Sequence, residues 1–259
     1  MGKSIKTVGS PFWHDRCDKA GSMDKKIMRK IFLDIETLPP DRETFEAALD
    51  LQECDDKDFR RLALKAEKGR VLCIGVIVEE DGAVKHQGVF GRDRATGLFH
   101  LDEAKTLRSF WNLIGEVREG ASLLIGHNVL DFDLPFLVKR SIINRVKPSP
   151  ISFRRYRNSP IYDTMWEWSL WSHRISLKDV ADAIGVCSSK EEGIDGSLVY
   201  DYFLAGKHEE IALYCMRDVE CTRKVYYCIN FEKAPPLLPY GIKKTAKAFQ
   251  AAEAAALAA

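Results

Sequence analysis

The stretch Phe32-Leu33-Asp34-Ile35-Glu36-Thr37 decides the predicted fold, because it places two carboxylates at the end of an apolar strand. Residues 29–34 have the composition of a buried strand, and Pro39-Pro40 ends the run since proline cannot donate to a β-ladder. Side chains alternate along a strand, so Asp34 and Glu36 share one face and their apolar neighbours occupy the other. Two buried carboxylates repel each other unless a cation lies between them. The pair is therefore interpreted either as a site for Mg²⁺ or Mn²⁺, which favour oxygen ligands, or as two solvated acids.

The chain around this strand has the pattern of a mixed α/β protein. Residues 70–79 and 83–91 are rich in β-branched side chains and flank Asp81-Gly82, which predicts a β-hairpin. Residues 121–127 and 160–164 are predicted to be further strands. Helical spacing predicts one or two helices within residues 41–68 and single helices over 101–118, 133–145, 176–185, 196–204, 208–230 and 242–258.

Composition limits the function classes. With 259 residues, 46% of them hydrophobic, the chain can bury one sizeable core. Lys and Arg number 39 against 38 Asp and Glu, which gives a formal net charge of +1. A chain that coats duplex nucleic acid regardless of sequence would be strongly basic, so any contact with phosphates must be local.

Cysteine usage and hydropathy predict a cytoplasmic protein with no membrane partner. The chain has seven cysteines, an odd number, and no Cys-x-x-Cys pair, which favours reduced thiols over disulfides or a zinc site. No apolar run is long enough to span a bilayer. The N-terminus has lysines without an apolar core segment, so a secretory signal is not expected.

A second group of polar residues follows the predicted strand at 121–127. Ile125-Gly126-His127-Asn128 ends this strand, and Asp133 follows near the start of a predicted helix. A carboxylate there suits the free N–H groups of the first turn, so Asp133 could be a helix cap, with Asp131 as the alternative cap. His127 could be catalytic or a structural hydrogen-bond partner.

The third group lies inside the predicted helix at 208–230. Tyr214 and Asp218 are four residues apart, so they lie on the same helix face one turn from each other. A tyrosine on a helix face is commonly a core residue, whereas an aspartate in mid-helix is mildly unfavourable. Asp218 is therefore the less ordinary of the two.

Together, the three groups resemble the motifs of the DEDD superfamily of 3′→5′ exonucleases, of the tyrosine (DEDDy) type, over about residues 29–230. Asp34-x-Glu36 is similar to the first motif of that superfamily, Asn128-x-x-x-Phe132-Asp133 to the second and Tyr214-x-x-x-Asp218 to the third. The stretches Asp34-Ile-Glu-Thr-Leu-Pro and Ile194-Asp-Gly-Ser resemble predicted exonucleases related to the proofreading domain of family-B DNA polymerases. The charged segment at 41–68 is longer than the resemblance leads one to expect.

The resemblance implies a ribonuclease H-like α/β fold, with a mixed central sheet flanked by helices. With the terminal segments set apart by their composition, the chain is predicted to comprise an N-terminal extension without a clear period (1–22), an exonuclease domain (23–240) and a C-terminal Ala-rich helix (241–259). The resemblance also implies two Mg²⁺ or Mn²⁺ ions about 4 Å apart, held by Asp34, Glu36, Asp133 and Asp218. Asp34 would bridge both ions, Glu36 and Asp218 would complete the ion that generates the nucleophile, and Asp133 would act on the second. Tyr214 would orient the attacking water, because a phenol is a poor base at neutral pH.

The implied substrate is the free 3′ end of a single strand, with DNA favoured over RNA, and the product is a nucleoside 5′-monophosphate. The predicted substrate contacts are Thr37, Leu38, His127, Asn128, Phe132, Arg154 and Arg155. Leu38 and the two following prolines could wedge against the terminal base. Arg154, Arg155 and Arg157, which alternate with aromatic residues, could bind phosphate or form a solvated loop.

Four alternatives remain open on the sequence. Trp166, Trp168 and Trp171 could stack on bases, but their spacing favours core packing. An exoribonuclease of the same superfamily would carry the same motifs, because discrimination depends on contacts to the 2′-OH. A catalytically silent nucleic-acid-binding module or an unrelated metal hydrolase, such as a phosphatase, are the other classes.

Overall fold

A five-stranded mixed β-sheet forms the centre of the protein in the computed structural model, which describes residues 29–48, 55–93, 95–186 and 196–238. The strands are β1 (Arg29–Leu38), β2 (Arg70–Glu80), β3 (Ala83–Phe90), β4 (Ser122–Gly126) and β5 (Ile161–Asp163), in the order β3-β2-β1-β4-β5. The β2–β3 hairpin and the β1–β2 pair are antiparallel, whereas β4 is parallel to both β1 and β5. The predicted strands are therefore confirmed, although β1 continues four residues beyond its predicted end.

Helices flank the sheet on both faces. They are α1 (Arg42–Ala48), α2 (Asp56–Arg61), α3 (Glu103–Ile114), α4 (Asp133–Ile143), α5 (Thr164–Ser169), α6 (Leu177–Ala183), α7 (Val199–Leu204) and α8 (His208–Ile229). Short 3₁₀ turns at Leu62–Leu64 and Gly196–Leu198 follow α2 and precede α7. None of the helices in the described ranges combines the length and the apolar character of a bilayer span.

Two differences from the predicted helices have local causes. The prediction over 101–118 was too long, because Gly115 has a φ of 63° and ends α3 after Ile114. The prediction missed α5, a six-residue helix that begins where the Asp163 side chain accepts a hydrogen bond from the Met165 N–H. The predictions for residues 1–22 and 242–258 lie outside the described residues.

The two faces of β1 serve different parts of the molecule. Ile31, Leu33 and Ile35 are buried in the core that α3 and α4 complete. Phe32 points to the opposite face and packs against Tyr226 and other side chains of α8. The alternation predicted for this strand is therefore confirmed, and Asp34 and Glu36 follow Phe32 on the α8 side.

Candidate functional site

Asp34 and Glu36 lie together at the carboxyl end of β1. One carboxylate oxygen of each lies within 4.8 Å of the other and of Cys215 Sγ on α8. Asp34 is half-buried and open to a cleft, whereas Glu36 has only 7% of its surface exposed. The interpretation of these residues as two freely solvated acids is therefore wrong.

A glycine in β2 allows α8 to approach this end of β1. Gly75 pairs with Asp34, and a Cβ atom at Gly75 would lie 2.8 Å from Cys215 Sγ and 2.9 Å from Val219 Cγ2. Contacts that short essentially never occur, so this close approach requires glycine.

The approach of α8 brings Tyr214 and Asp218 to the cleft that Asp34 lines. Tyr214 is 5% exposed, and its hydroxyl forms a hydrogen bond with Asp218 one helical turn away. Tyr214 and Asp218 lie on one face of α8, as their spacing predicted. That face points to the cleft beside Asp34.

Asp133 joins the cluster from α4, which packs against the face of the sheet opposite α8. It is the first residue of α4, and its Oδ1 accepts a hydrogen bond of 3.2 Å from the Ile35 N–H. The pairing of β1 with β4 extends only to Phe32, so this later N–H takes its acceptor from α4. Asp133 thus bonds to β1 and is not the plain helix cap that the sequence left open. The alternative cap, Asp131, binds two arginines and does not cap α4 either.

Asp163, which no motif singled out, fixes the loop between β4 and α4. It is 1% exposed and accepts hydrogen bonds from the N–H groups of Asn128, Leu130 and Met165 at 2.9, 3.0 and 3.0 Å. Asn128 has a φ of 62°, and Asp163 stabilises this left-handed turn. The only sequence signal was an aspartate that ends a short predicted strand.

The carboxylates raise one another's pKa values. Burial is the largest cause for Asp34, Glu36 and Asp133. The charges of Asp133, Asp218 and Glu36 further raise the pKa of Asp34 well above its usual range. Burial and the Asp163 charge raise the pKa of Asp133 to about 7. Full ionisation of the cluster is therefore unfavourable when no cation lies among the carboxylates.

Oxygen donors in this arrangement fit a divalent cation. A cation among the carboxylates would remove the repulsion that raises their pKa values, and hard ions such as Mg²⁺ and Mn²⁺ favour carboxylate oxygens. Asp34 and Glu36 have oxygens close enough to share one ion. Asp133 and Asp218 lie near enough for their charges to raise the pKa of Asp34, so all four predicted carboxylates bring oxygen donors to this part of the molecule.

Two thiols that the sequence did not assign lie beneath the carboxylates. Cys215 lies beside Asp34 and Glu36, and it forms a hydrogen bond with Cys73, which pairs with Glu36 across the sheet. This hydrogen bond, burial and the neighbouring carboxylates raise the pKa of the Cys215 thiol well above its usual range. Cys215 Sγ also donates to the Asp34 carbonyl oxygen at 3.7 Å, so this thiol packs at the floor of the site.

The cleft beside the carboxylates has a volume of about 180 Å³. Its walls include Asp34, Tyr214, Asp218, His127 and the segment from Ser176 to Lys178 at the start of α6. Lys178 brings a positive charge to this wall, and it also forms an ion pair of 2.5 Å with Asp182. The sequence predicted the helix at 176–185 but gave no sign that its first turn faces the carboxylates.

His127 and Asn128 occupy the turn after β4. The His127 ring nitrogens lie 3.0 Å from Thr164 Oγ1 and 2.9 Å from the Ile175 carbonyl oxygen, which gives this histidine a structural role at the cleft wall. Burial lowers the pKa of His127, so the ring is neutral at neutral pH. Asn128 Oδ1 is buried and has no hydrogen-bond partner among the described residues.

The remaining predicted substrate contacts of the first two motifs differ in exposure. Leu38 is fully buried against α7 and α8, so the prediction that it wedges against a base is wrong for this conformation. Thr37 is half-buried after an irregularity in the β1–β2 register. Phe132 is half-buried and packs with its ring centroid 5.6 Å from that of Phe136.

Arg154 and Arg155 are exposed but point to different partners. Arg155 Nη2 lies 2.6 Å from Asp131 Oδ1, two residues from Asp133. Arg154 Nη1 lies 3.7 Å from Glu119, three residues before β4 begins, which is the end of that strand opposite the carboxylates. The structure therefore places only Arg155 beside the site.

The three predicted tryptophans differ in their burial. Trp166 and Trp171 are partly buried against the core, as the sequence favoured, whereas Trp168 is 37% exposed.

Comparison with known proteins agrees with this geometry. Residues 61–234 match the model of a family described as predicted 3′-5′ exonucleases related to the exonuclease domain of PolB. This range includes Asp133, Tyr214 and Asp218, while Asp34 and Glu36 precede it. A search among curated proteins gave no match.

Among solved structures, a family B DNA polymerase from the hyperthermophilic archaeon Pyrobaculum calidifontis is similar, with a TM-score of 0.52 and 19% identity. The match covers 78% of this chain and 24% of the polymerase, so the chain spans about a quarter of that protein's length. At this identity the similarity concerns the fold, and it confirms the mixed sheet flanked by helices that a ribonuclease H-like fold predicts.

Proposed function

Because this chain belongs to the family of predicted 3′-5′ exonucleases related to the exonuclease domain of PolB, we propose that it removes nucleotides one at a time from 3′ ends. The proposed substrate is single-stranded DNA, and the product is a nucleoside 5′-monophosphate. One observation carries the proposal: carboxylates from β1, α4 and α8 act on one another near the cleft that Asp34, Asp218 and Tyr214 line. A structural protein gains nothing from this arrangement, since each buried acid without a cation costs stability.

The carboxylates are the proposed holders of two Mg²⁺ or Mn²⁺ ions. Asp34, Glu36, Asp133 and Asp218 would hold the ions, and Asp34 would be central to the set because the charges of the other three all act on it. Bound divalent ions supply a lowered pKa for water and a positive charge that offsets the charge on the phosphate. The chain holds the carboxylates at fixed positions through the hydrogen bond from Ile35 to Asp133 and through the close packing of α8.

Tyr214 is proposed to orient the attacking water. Burial is the largest cause that raises the pKa of Tyr214, and the charges of Glu36, Asp218 and Asp34 raise it further. The phenol therefore stays protonated at neutral pH and cannot remove the proton from the water. Its hydroxyl can hold a water molecule by a hydrogen bond, and Asp218 sets the direction of that hydroxyl.

Groups on the cleft wall are proposed to position the terminal nucleotide. Asn128 follows His127, which lines the cleft, and its side-chain amide can form hydrogen bonds with the hydroxyls of a nucleotide. Lys178 can attract a phosphate, whose charge competes with that of Asp182 for the ammonium group. Thr37 and Phe132 complete the proposed contacts at the ends of the first and second motifs.

The test is degradation of 5′-labelled single strands of DNA and RNA in the presence of Mg²⁺ or Mn²⁺. We expect a ladder of shortened DNA products that disappears on chelation and in Asp34→Ala. Glu232→Gln is the matched control, because this exposed acid pairs with Lys30 at the far end of β1. The control should degrade DNA at the wild-type rate.

Each alternative gives a different result in this assay. Faster shortening of RNA would reassign the substrate, and a mobility shift without shortening would indicate a binding module. Release of inorganic phosphate from small esters without a ladder would indicate a phosphatase. A full ladder in Asp34→Ala would refute the site.

A further inference from the structure

Two surface segments beside the cleft bring aromatic and cationic side chains together. They form what we call the aromatic–arginine ridge: Tyr156, Trp166, Trp171, Arg155 and Arg174. Arg155 and Tyr156 lie between α4 and β5. Trp166 lies in α5, and Trp171 and Arg174 lie between α5 and α6. The catalytic assignment above uses none of the three aromatic residues.

The aromatic part of the ridge is a stacked pair of tryptophans with Tyr156 packed against it. The rings of Trp166 and Trp171 are parallel, with an interplanar angle of 2° and centroids 5.5 Å apart. The ring centroid of Tyr156 lies 4.9 Å from that of Trp171, with the two rings inclined at 45°, and Tyr156 is 75% exposed. An exposed ring held by two partly buried tryptophans is a preformed surface on which a planar group can stack at little cost in entropy.

The cationic part is held by one carboxylate. Arg155 and Arg174 contact the two oxygens of Asp131 at 2.6 and 3.1 Å, and both arginine side chains are about two-thirds exposed. The Asp131 side chain is only 7% exposed, so it fixes both guanidinium groups from below. The cluster keeps a net positive charge and leaves N–H donors directed to solvent.

The ridge continues from the wall of the cleft. Asp131 lies in the short loop between Asn128 and Asp133, which belong to the proposed site. Arg174 precedes Ile175, whose carbonyl oxygen contacts the His127 ring, and the next three residues line the cleft. A strand that ends at the carboxylates can therefore extend over the ridge.

We propose that the ridge binds the part of the single strand that precedes the terminal nucleotide. One base stacks on Tyr156, and Arg155 and Arg174 bind the adjoining phosphates. The inference rests on the proposed function and adds how the enzyme holds its substrate. A stacking ring with fixed arginines suits nucleic acid of any sequence, since every base has a π-face and every linkage has a phosphate.

The test compares a long single-stranded oligonucleotide with a dinucleotide, which offers the ridge at most one nucleotide beyond the terminal one. In Tyr156→Ala we expect the ratio of kcat/KM for the long substrate to kcat/KM for the dinucleotide to fall about fivefold or more. Tyr156→Phe keeps the stacking ring and should keep the ratio. Phe231→Ala is the control, because this exposed aromatic residue follows α8 near Glu232, at the far end of β1.

The arginines provide a measurement that does not depend on the folding of the Tyr156 variant. Arg155→Gln and Arg174→Gln should each make binding of the oligonucleotide to an Asp34→Ala background less dependent on salt concentration. Arg154→Gln should change this dependence less, because Arg154 points to Glu119.

The outcomes separate the two proposals. A wild-type protein that cleaves both substrates, together with an unchanged ratio in Tyr156→Ala and an unchanged salt dependence in the Arg155 and Arg174 variants, would overturn the ridge alone. A wild-type protein that cleaves neither substrate would overturn the proposed function and the ridge with it.

Discussion

Substitution of Gly75 by alanine tests whether the position of α8 controls the site. The new Cβ atom would lie 2.8 Å from Cys215 Sγ, whereas ordinary contacts begin at 3.4 Å. Cys215 and the adjacent turn of α8 must therefore recede by about 0.6 Å. Insertion of a methyl group into a packed core costs about 1–3 kcal/mol, so we expect a folded protein of reduced stability.

The effect on activity should exceed the effect on folding. Tyr214 precedes Cys215 directly, and Asp218 lies one turn further, so both move with the displaced segment. A misplacement of about 1 Å at a reacting centre can reduce a rate about 100-fold. We therefore expect the kcat of DNA degradation to fall about tenfold to a hundredfold in Gly75→Ala.

The assay is single-strand degradation with saturating Mn²⁺, alongside urea unfolding of the same samples. Gly88→Ala is the matched control, because Gly88 lies in the neighbouring strand β3 and its Cβ would meet, among the described residues, only His86 Nε2, at 3.9 Å. The control should retain both activity and stability. A folded Gly75→Ala protein with wild-type kcat would refute the reasoning, and so would an equal loss in both variants.

Three further predictions concern single side chains. Without divalent ions, burial raises the pKa of Asp133 to about 7, so the folded chain keeps a proton that the unfolded chain loses above its ordinary value of 3.8. The free energy of unfolding should therefore fall as pH rises from about 3.8 to about 7, by up to about 1.4 kcal/mol per pH unit, and Mn²⁺ should restore it. Urea unfolding in which the free energy of unfolding depends equally on pH in the wild type and in Asp133→Asn would contradict this. Tyr214→Phe keeps the ring but loses the hydroxyl, so kcat should fall about tenfold or more while KM changes little, and steady-state kinetics with unchanged kcat would exclude the orienting role. Asp163→Asn would set an amide N–H₂ against a backbone N–H that now has a carboxylate acceptor, which should lower the free energy of unfolding by about 1–3 kcal/mol; a wild-type thermal midpoint would contradict this prediction.

Some features of the fold and of the site could be predicted from the sequence because they depend only on neighbouring residues. The alternation of β1 follows from strand geometry, and it placed Asp34 and Glu36 on one face before any partner was known. Tyr214 and Asp218 share a face because a helix has 3.6 residues per turn. The hairpin at Asp81-Gly82 was readable because the turn residues take positive φ values, of 55° and 70°.

Other features were not readable because they depend on contacts between distant segments. Leu38 follows the first motif and was predicted to meet the substrate, yet α7 and α8 cover it completely. Arg154 and Arg155 are neighbours of the same type, but they reach acids at opposite ends of β4. Neither outcome follows from the local sequence, since each requires knowledge of which elements pack nearby.

The sequence by itself determined the strand that carries two carboxylates, the helix that carries a tyrosine and an aspartate, and the α/β class. Tertiary structure alone decided that Gly75 admits α8 next to Asp34, that Asp163 holds the loop before Asp133, and that the first turn of α6 faces the carboxylates. The physical reason is the range of the interactions: alternation and helical periodicity are set by neighbouring residues, whereas burial and repulsion among the acids arise only when chain folding brings distant side chains together.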